Sequence, residues 1–162
     1  MAGEKQMKIK KITIREQSVL AALLLIWEDS VRQSHHFLTE ADITGLRPLV
    51  LQGLAQIPEL WGLCTLDGTY AGFMGIDGQK LEMLFIKGDQ RGRGLGSLLL
   101  AQAIEKLGVT EVDVNEQNPQ AQDFYYKHGF YQGVRSELDG QGNPFPILHL
   151  SLQEKLKKGG KL

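Results

Sequence analysis

The sequence predicts a mixed α/β (α+β) fold: one sheet of about six to seven strands flanked by about four helices, in a single domain spanning 1–162. Three observations carry that expectation. The runs LWGLCTLDG, TYAGFMGIDG and KLEMLFIKG follow one another, each apolar and each closing on a glycine turn, which is the spacing of an antiparallel meander. Helix-period segments flank the meander on both sides, so strands and helices do not alternate as regular βαβ units. At 162 residues, with 42% apolar and 23% charged side chains, the chain can bury one substantial core and has the composition of a globular domain.

The elements follow in order. KIKKITIRE sets Ile9, Ile12 and Ile14 among polar residues and reads as a first strand. Leu20, Leu23, Leu24, Trp27 and Val31 then fall on one face of a helix from about Ser18 toward Phe37. The basic start followed by VLAALLLIW imitates a secretory leader, but EDSVRQ comes next instead of a small-residue cleavage site. So short an apolar run is also too short to span a bilayer. The expectation is a core helix in a cytoplasmic protein with no membrane partner. Thr39 caps a second helix running toward Gln56, which Pro48 is expected to break or restart.

Two DG turns punctuate the meander, glycine supplying the positive φ that hairpins need. After the stretch QRGRGLGS, Leu100, Ala103, Ile104 and Leu107 keep helical spacing until Gly108. VTEVDVN reads as a strand. NPQAQDFYYKHGF reads as a helix capped by Asn118, with Pro119 at its first position and Gly129 at its stop. YQGVRSEL and PILHLSLQ form a closing hairpin across DGQGNPFP, where Phe145–Pro146 is a candidate cis bond. The tail at 155–162 is expected to fray.

Composition excludes several classes of function. A net charge of −1 gives no field toward nucleic acid or anionic membrane. One cysteine, Cys64, permits neither a disulfide framework nor a multi-cysteine metal site, and its apolar setting reads as an inert buried thiol. No metal is expected. His128 and His149 read as structural.

QRGRGLGS is the segment that carries chemistry. Its glycines allow positive-φ turns that aim successive amides inward, at a helix N-terminus where amides lack partners and the dipole is positive. Arg91 and Arg93 add formal charge, making a small anion site suited to pyrophosphate. It is not a Walker loop, since no lysine lies between Lys87 and Lys106. It is not a dinucleotide fingerprint either, because the third glycine arrives one residue early.

The spacing Arg91-x-x-Gly94-x-Gly96 resembles the acetyl-coenzyme A motif of the GNAT superfamily of N-acetyltransferases. A second segment is similar to that family's later helix at Asn118, Ala121, Phe124, Tyr125, Gly129 and Phe130. SHHFL, LEMLFI, VNEQN and NPFPILHL are similar to bacterial members. The resemblance implies a splay between the fourth and fifth strands. Pantetheine would pair there with the backbone of Leu84, Phe85 and Ile86. Pyrophosphate would meet the amides of Arg91, Gly92, Arg93, Gly94, Leu95 and Gly96, with the Ser97 hydroxyl nearby. By family position Asn118 approaches the cofactor; read from its residues alone, it is equally a helix cap.

In the implied reaction a neutral amine attacks the thioester, an oxyanion forms, and coenzyme A leaves as a thiolate. Tyr125 matches the general acid, since a phenol of pKa ~10 keeps its proton at neutral pH; the other reading is an aromatic packing residue. Glu82 is the first choice of base. By alternation it shares a face with Leu84 and Ile86, where a carboxylate is costly without a task or partner, although exposure on an edge strand would also explain it. His35 and His36 end the first helix near the expected acceptor site, or serve as dipole partners there. The acceptor is a small-molecule or peptide amine, and the protein a monomer or homodimer. Two other classes remain open from sequence: a non-catalytic acyl-coenzyme A sensor, and a different phosphate-binding enzyme built on the same turn.

Overall fold

The computed structural model describes residues 7–152. The elements run β1 (Lys8–Lys11), α1 (Gln17–Ser34), α2 (Glu40–Gln56), β2 (Glu59–Cys64), β3 (Tyr70–Asp77), β4 (Lys80–Ile86), a 3-10 turn (Gly88–Gln90), α3 (Leu95–Leu107), β5 (Glu111–Asn115), α4 (Pro119–Lys127), β6 (Phe130–Ser136) and β7 (Ile147–Leu152). The strands form one seven-stranded sheet in the order β1-β2-β3-β4-β5-β7-β6. The predicted fold class, the meander and the closing hairpin are all present.

Alternation along the strands splits the core in two. Phe73 and its neighbour Met74 point to opposite faces of the sheet. Phe73 packs with Leu23, Ile26, Trp27, Ile43 and Leu54 from α1 and α2. Met74 packs with Leu95, Leu99, Leu100 and Ala103 of α3 and Tyr125 of α4. Helices therefore cover both faces, and the site must open where strands separate.

Several expectations are corrected. β1 ends at Lys11: Ile12 leaves the sheet to pack in the core, its amide donating to Leu60 O at 2.7 Å, while Ile14 is exposed. α1 stops at Ser34, because His35 takes a non-helical backbone (φ −108°, ψ 69°). Pro48 does not break α2. A mid-helix proline removes a hydrogen bond and costs about 3 kcal/mol. The helix is pinned on both sides of it, by the reciprocal Thr39–Asp42 capping box (3.0 and 2.9 Å) and by Ile43 and Leu54, both fully buried. Phe145–Pro146 is trans; among the described residues no cis bond occurs. The strand-end bond from Glu116 N to Pro146 O, 2.9 Å, holds that segment extended beside β5. The tail at 155–162 lies outside the described residues.

The feature that makes the site is a register slip. Gly75 pairs with Met83 but Ile76 pairs with Leu81, so Glu82 has no partner on β3. A bulge bends its strand and sharpens the local twist. β5 runs parallel to β4 for two pairs, Lys80–Glu111 and Leu81–Val112, and separates at the bulge. The fourth and fifth strands therefore splay where expected, and the bulge supplies the cause.

Candidate active site

The separated strands open a groove of about 640 Å³. One wall is the edge of β4 at Leu84, Phe85 and Ile86, whose backbone no longer meets β5. Gly92, Gly94, Leu95, Gly96 and Ser97 line one end. Gly92 and Gly94 are left-handed, with φ of 79° and 76°, a conformation costing an L-residue about 1–2 kcal/mol. A Cβ at either would meet nothing within 4 Å, so conformation rather than crowding demands glycine there, and the space above the turn is open. The first helical bond runs from Leu98 N to Gly94 O, leaving the amides of Leu95, Gly96 and Ser97 ahead of it at the positive end of α3.

The two arginines part company. Arg91 lines the groove and donates from Nη2 to Ser30 Oγ of α1 at 3.0 Å. Its amide, expected among the ligand-binding amides, instead donates to Gly88 O at 3.3 Å, because the 3-10 turn closes on it. Arg93 lies outside the groove lining and donates to Gln90 Oε1 at 2.8 Å. Sequence reading missed Asp29, whose carboxylate accepts from Gly88 N at 2.6 Å and pins the loop to α1.

His35 and His36 also separate. His36 is exposed and donates back to its own helix at Gln33 O, 2.7 Å, so it does not reach the groove. His35 does. Ser34 gives its hydroxyl proton to Ser30 O, so His35 Nδ1–H donates to Ser34 Oγ at 2.9 Å. Nε2 then accepts from Asn118 Nδ2 at 3.4 Å. Asn118 Oδ1 meanwhile accepts from Ala121 N at 3.2 Å, so this buried side chain caps α4 and also bridges to α1.

Burial, with the Arg91 charge and then His36 beside it, lowers the His35 pKa from 6.5 to about 4. The unfolded ring binds a proton between those values and the folded ring does not. Its contribution to stability is therefore complete above pH 6.5 and lost as pH falls toward 4. The expected loss is on the order of 2 kcal/mol. Urea midpoints at pH 7 and pH 5 should differ in the native chain, and His35→Gln should flatten most of that difference; equal slopes in both would overturn it.

Tyr125 is buried in the groove wall, its ring edge-on to Phe124 and Phe130 with centroids at 5.0 and 5.6 Å. Burial raises its pKa well above the ordinary phenol value. Glu82 also lines the groove, but its side chain is exposed, 38% accessible, as the edge-strand reading has it. The bulge, not alternation, sets its position: Leu81, Leu84 and Ile86 share one core face, which strict period-two spacing would forbid. Desolvation raises the Glu82 pKa; Lys80 opposes this, and Asp113 and Asp77 add to it. Asp113, from β5, also lines the groove and escaped sequence reading. Ser30 and Ser34 did too, though two serines four apart on the buried side of α1 are a signal that could have found them.

Residues 59–146 match the acetyltransferase (GNAT) domain family. The chain belongs to the GNAT family of acetyltransferases. This GNAT chain is 41% identical over 128 residues to the peptidyl-lysine N-acetyltransferase YjaB of Salmonella typhimurium, covering 79% of this chain and 88% of that protein. The solution structure of apo YjaB from Escherichia coli superimposes with a TM-score of 0.79 at 36% identity, over 90% of this chain and 96% of that one. A PaiA N-acetyltransferase from Thermoplasma acidophilum, solved in complex with coenzyme A, shares the fold: TM-score 0.63, 23% identity, 88% of this chain and 97% of that one. Among the described residues, no helix of this GNAT acetyltransferase is long and apolar enough to cross a membrane.

Proposed function

We propose that the protein transfers the acetyl group of acetyl-coenzyme A to the ε-amine of a peptidyl lysine by direct attack, with Tyr125 as general acid and Glu82 as general base. The parting of β4 from β5 at Glu82 carries this reading, because it joins an anion-binding helix end to a proton donor and a carboxylate in one groove. The fit to coenzyme A rests on the open space over Gly92 and Gly94, the amides of Leu95, Gly96 and Ser97 ahead of the first helical bond of α3, and the edge of β4 beyond its pairing with β5. Residues 92–97 would hold the pyrophosphate, and Leu84–Ile86 would take the pantetheine amides as an added strand. The choice of lysine follows the names of the YjaB relatives.

Bound acetyl-coenzyme A supplies an activated acyl carbon and a thiol leaving group. The chain's own residues manage the protons. Tyr125 keeps its proton through the neutral range and offers it where charge develops on sulfur. Glu82, its pKa raised above the ordinary carboxylate value by partial desolvation, takes a proton from the incoming ammonium. The wall of Phe124, Leu84 and Ile86 limits the water that competes with the amine.

Thiol release from acetyl-coenzyme A should be measured with a lysine-containing peptide, free lysine, spermidine and an aminoglycoside. The peptide should give the highest kcat/KM. Equal or faster turnover of the small amines would overturn the peptidyl assignment, and no turnover of any amine would return the chain to the role of an acyl-coenzyme A sensor.

A further inference from the structure

Glu82 and Asp113 stand on opposite sides of the strand separation, and both line the groove. The Lys80 ammonium sits between them, 2.7 Å from Asp113 Oδ2 and 3.9 Å from Glu82 Oε2. Asp113 Oδ1 lies 2.7 Å from Nδ1 of His149, its direct partner in the β5–β7 ladder. His149 Nε2 lies 2.7 Å from Ser136 Oγ on β6. The carboxylate can only accept, so Nδ1–H donates to Asp113, while Nε2 and the Ser136 hydroxyl share the second hydrogen bond. Four adjacent strands thus each contribute a residue to one row, and both oxygens of Asp113 are occupied. Ser136 and His149 lie outside the groove lining.

The row decides which carboxylate receives Lys80. An ammonium resting on Glu82 would hold that group ionised and cover the oxygen that must meet the acceptor. We propose that His149 is a positioning residue for acetyl transfer: by fixing Asp113 it anchors the Lys80 ammonium away from Glu82 and leaves that carboxylate open to the acceptor amine. The inference rests on Glu82 being the base. The charged groups facing Glu82 are Lys80 on its own strand, Asp113 on β5 and Asp77 at the end of β3. Desolvation, the largest influence on Glu82, raises its pKa, and Lys80 opposes that rise from beside it.

The test is a carboxyl-carbon NMR titration of Glu82 in the full chain, beside kinetics with the lysine peptide. In His149→Ala, Lys80 should move onto Glu82 and lower its titration midpoint by about one pH unit, the scale of closing an ion pair by about 1 Å at an effective dielectric of ~20. The acid limb of the kcat profile should follow, with the KM for acetyl-coenzyme A unchanged. His149→Gln, which can still donate to Asp113, should restore most of the midpoint. Ser136→Ala should shift it less, in the same direction, and Lys80→Met should raise it. A folded His149→Ala chain with an unmoved midpoint would overturn the proposal, even if its stability fell. A Glu82→Gln chain that keeps native kcat and its acid limb would instead overturn the base assignment.

Discussion

Replacing Tyr125 with Phe is expected to lower kcat about 10²-fold or more while leaving affinity for coenzyme A within about twofold. The ring is wedged edge-on between Phe124 and Phe130 and is buried. Phenylalanine keeps those contacts, so the variant removes one hydroxyl and little else. Burial also makes the phenolate costly, so in the proposed role the group would donate as sulfur departs without ionising beforehand. Steady-state thiol release and calorimetry with coenzyme A measure the two halves separately. An unchanged kcat would reduce Tyr125 to a packing residue; a matching loss of affinity would show that the groove itself had shifted.

The largest effect on stability is expected at Phe73. It lies fully buried in β3 under α1 and α2, and its ring meets Phe85 of the groove wall at 5.6 Å. Phe73→Ala removes transfer free energy and leaves a cavity in a close-packed layer, together about 3–5 kcal/mol. Urea denaturation should show a lower midpoint at unchanged slope. Because Phe85 loses its neighbour, KM for acetyl-coenzyme A should rise before stability fails. A loss below about 1 kcal/mol would mean that the layer closes over the gap.

The fold was readable because its signals were local. The DG turns, the cap at Asn118 and the stop at Gly108 each act within a few residues, and each holds. Pro48 misled because the forces that carry α2 past it come from Ile43 and Leu54 against distant elements. The bulge at Glu82 was invisible for the same reason: a slip in register belongs to two strands, and the run from Met83 to Ile86, apolar throughout, gives one strand read alone no sign of it. At the site, the glycine turn and Tyr125 sit in compact motifs. Asp29, Asp113 and His149 do not; the contact from Asp29 to the loop spans 59 positions and that from His149 to Asp113 spans 36. His35 and His36 were indistinguishable as neighbours, and the end of α1 turned only one of them inward.

β7 comes after β6 in the chain yet lies between β5 and β6 in the sheet. While a ribosome is still making residues 147–152, β5 has no neighbour on that side and β6 has nothing to pair with. Vectorial synthesis can therefore complete the β1–β4 portion early, but the β5–β7 portion waits for its last strand. A nascent chain stalled before Ile147 would present an unsatisfied edge, the kind of surface that recruits holdase chaperones or other copies of itself.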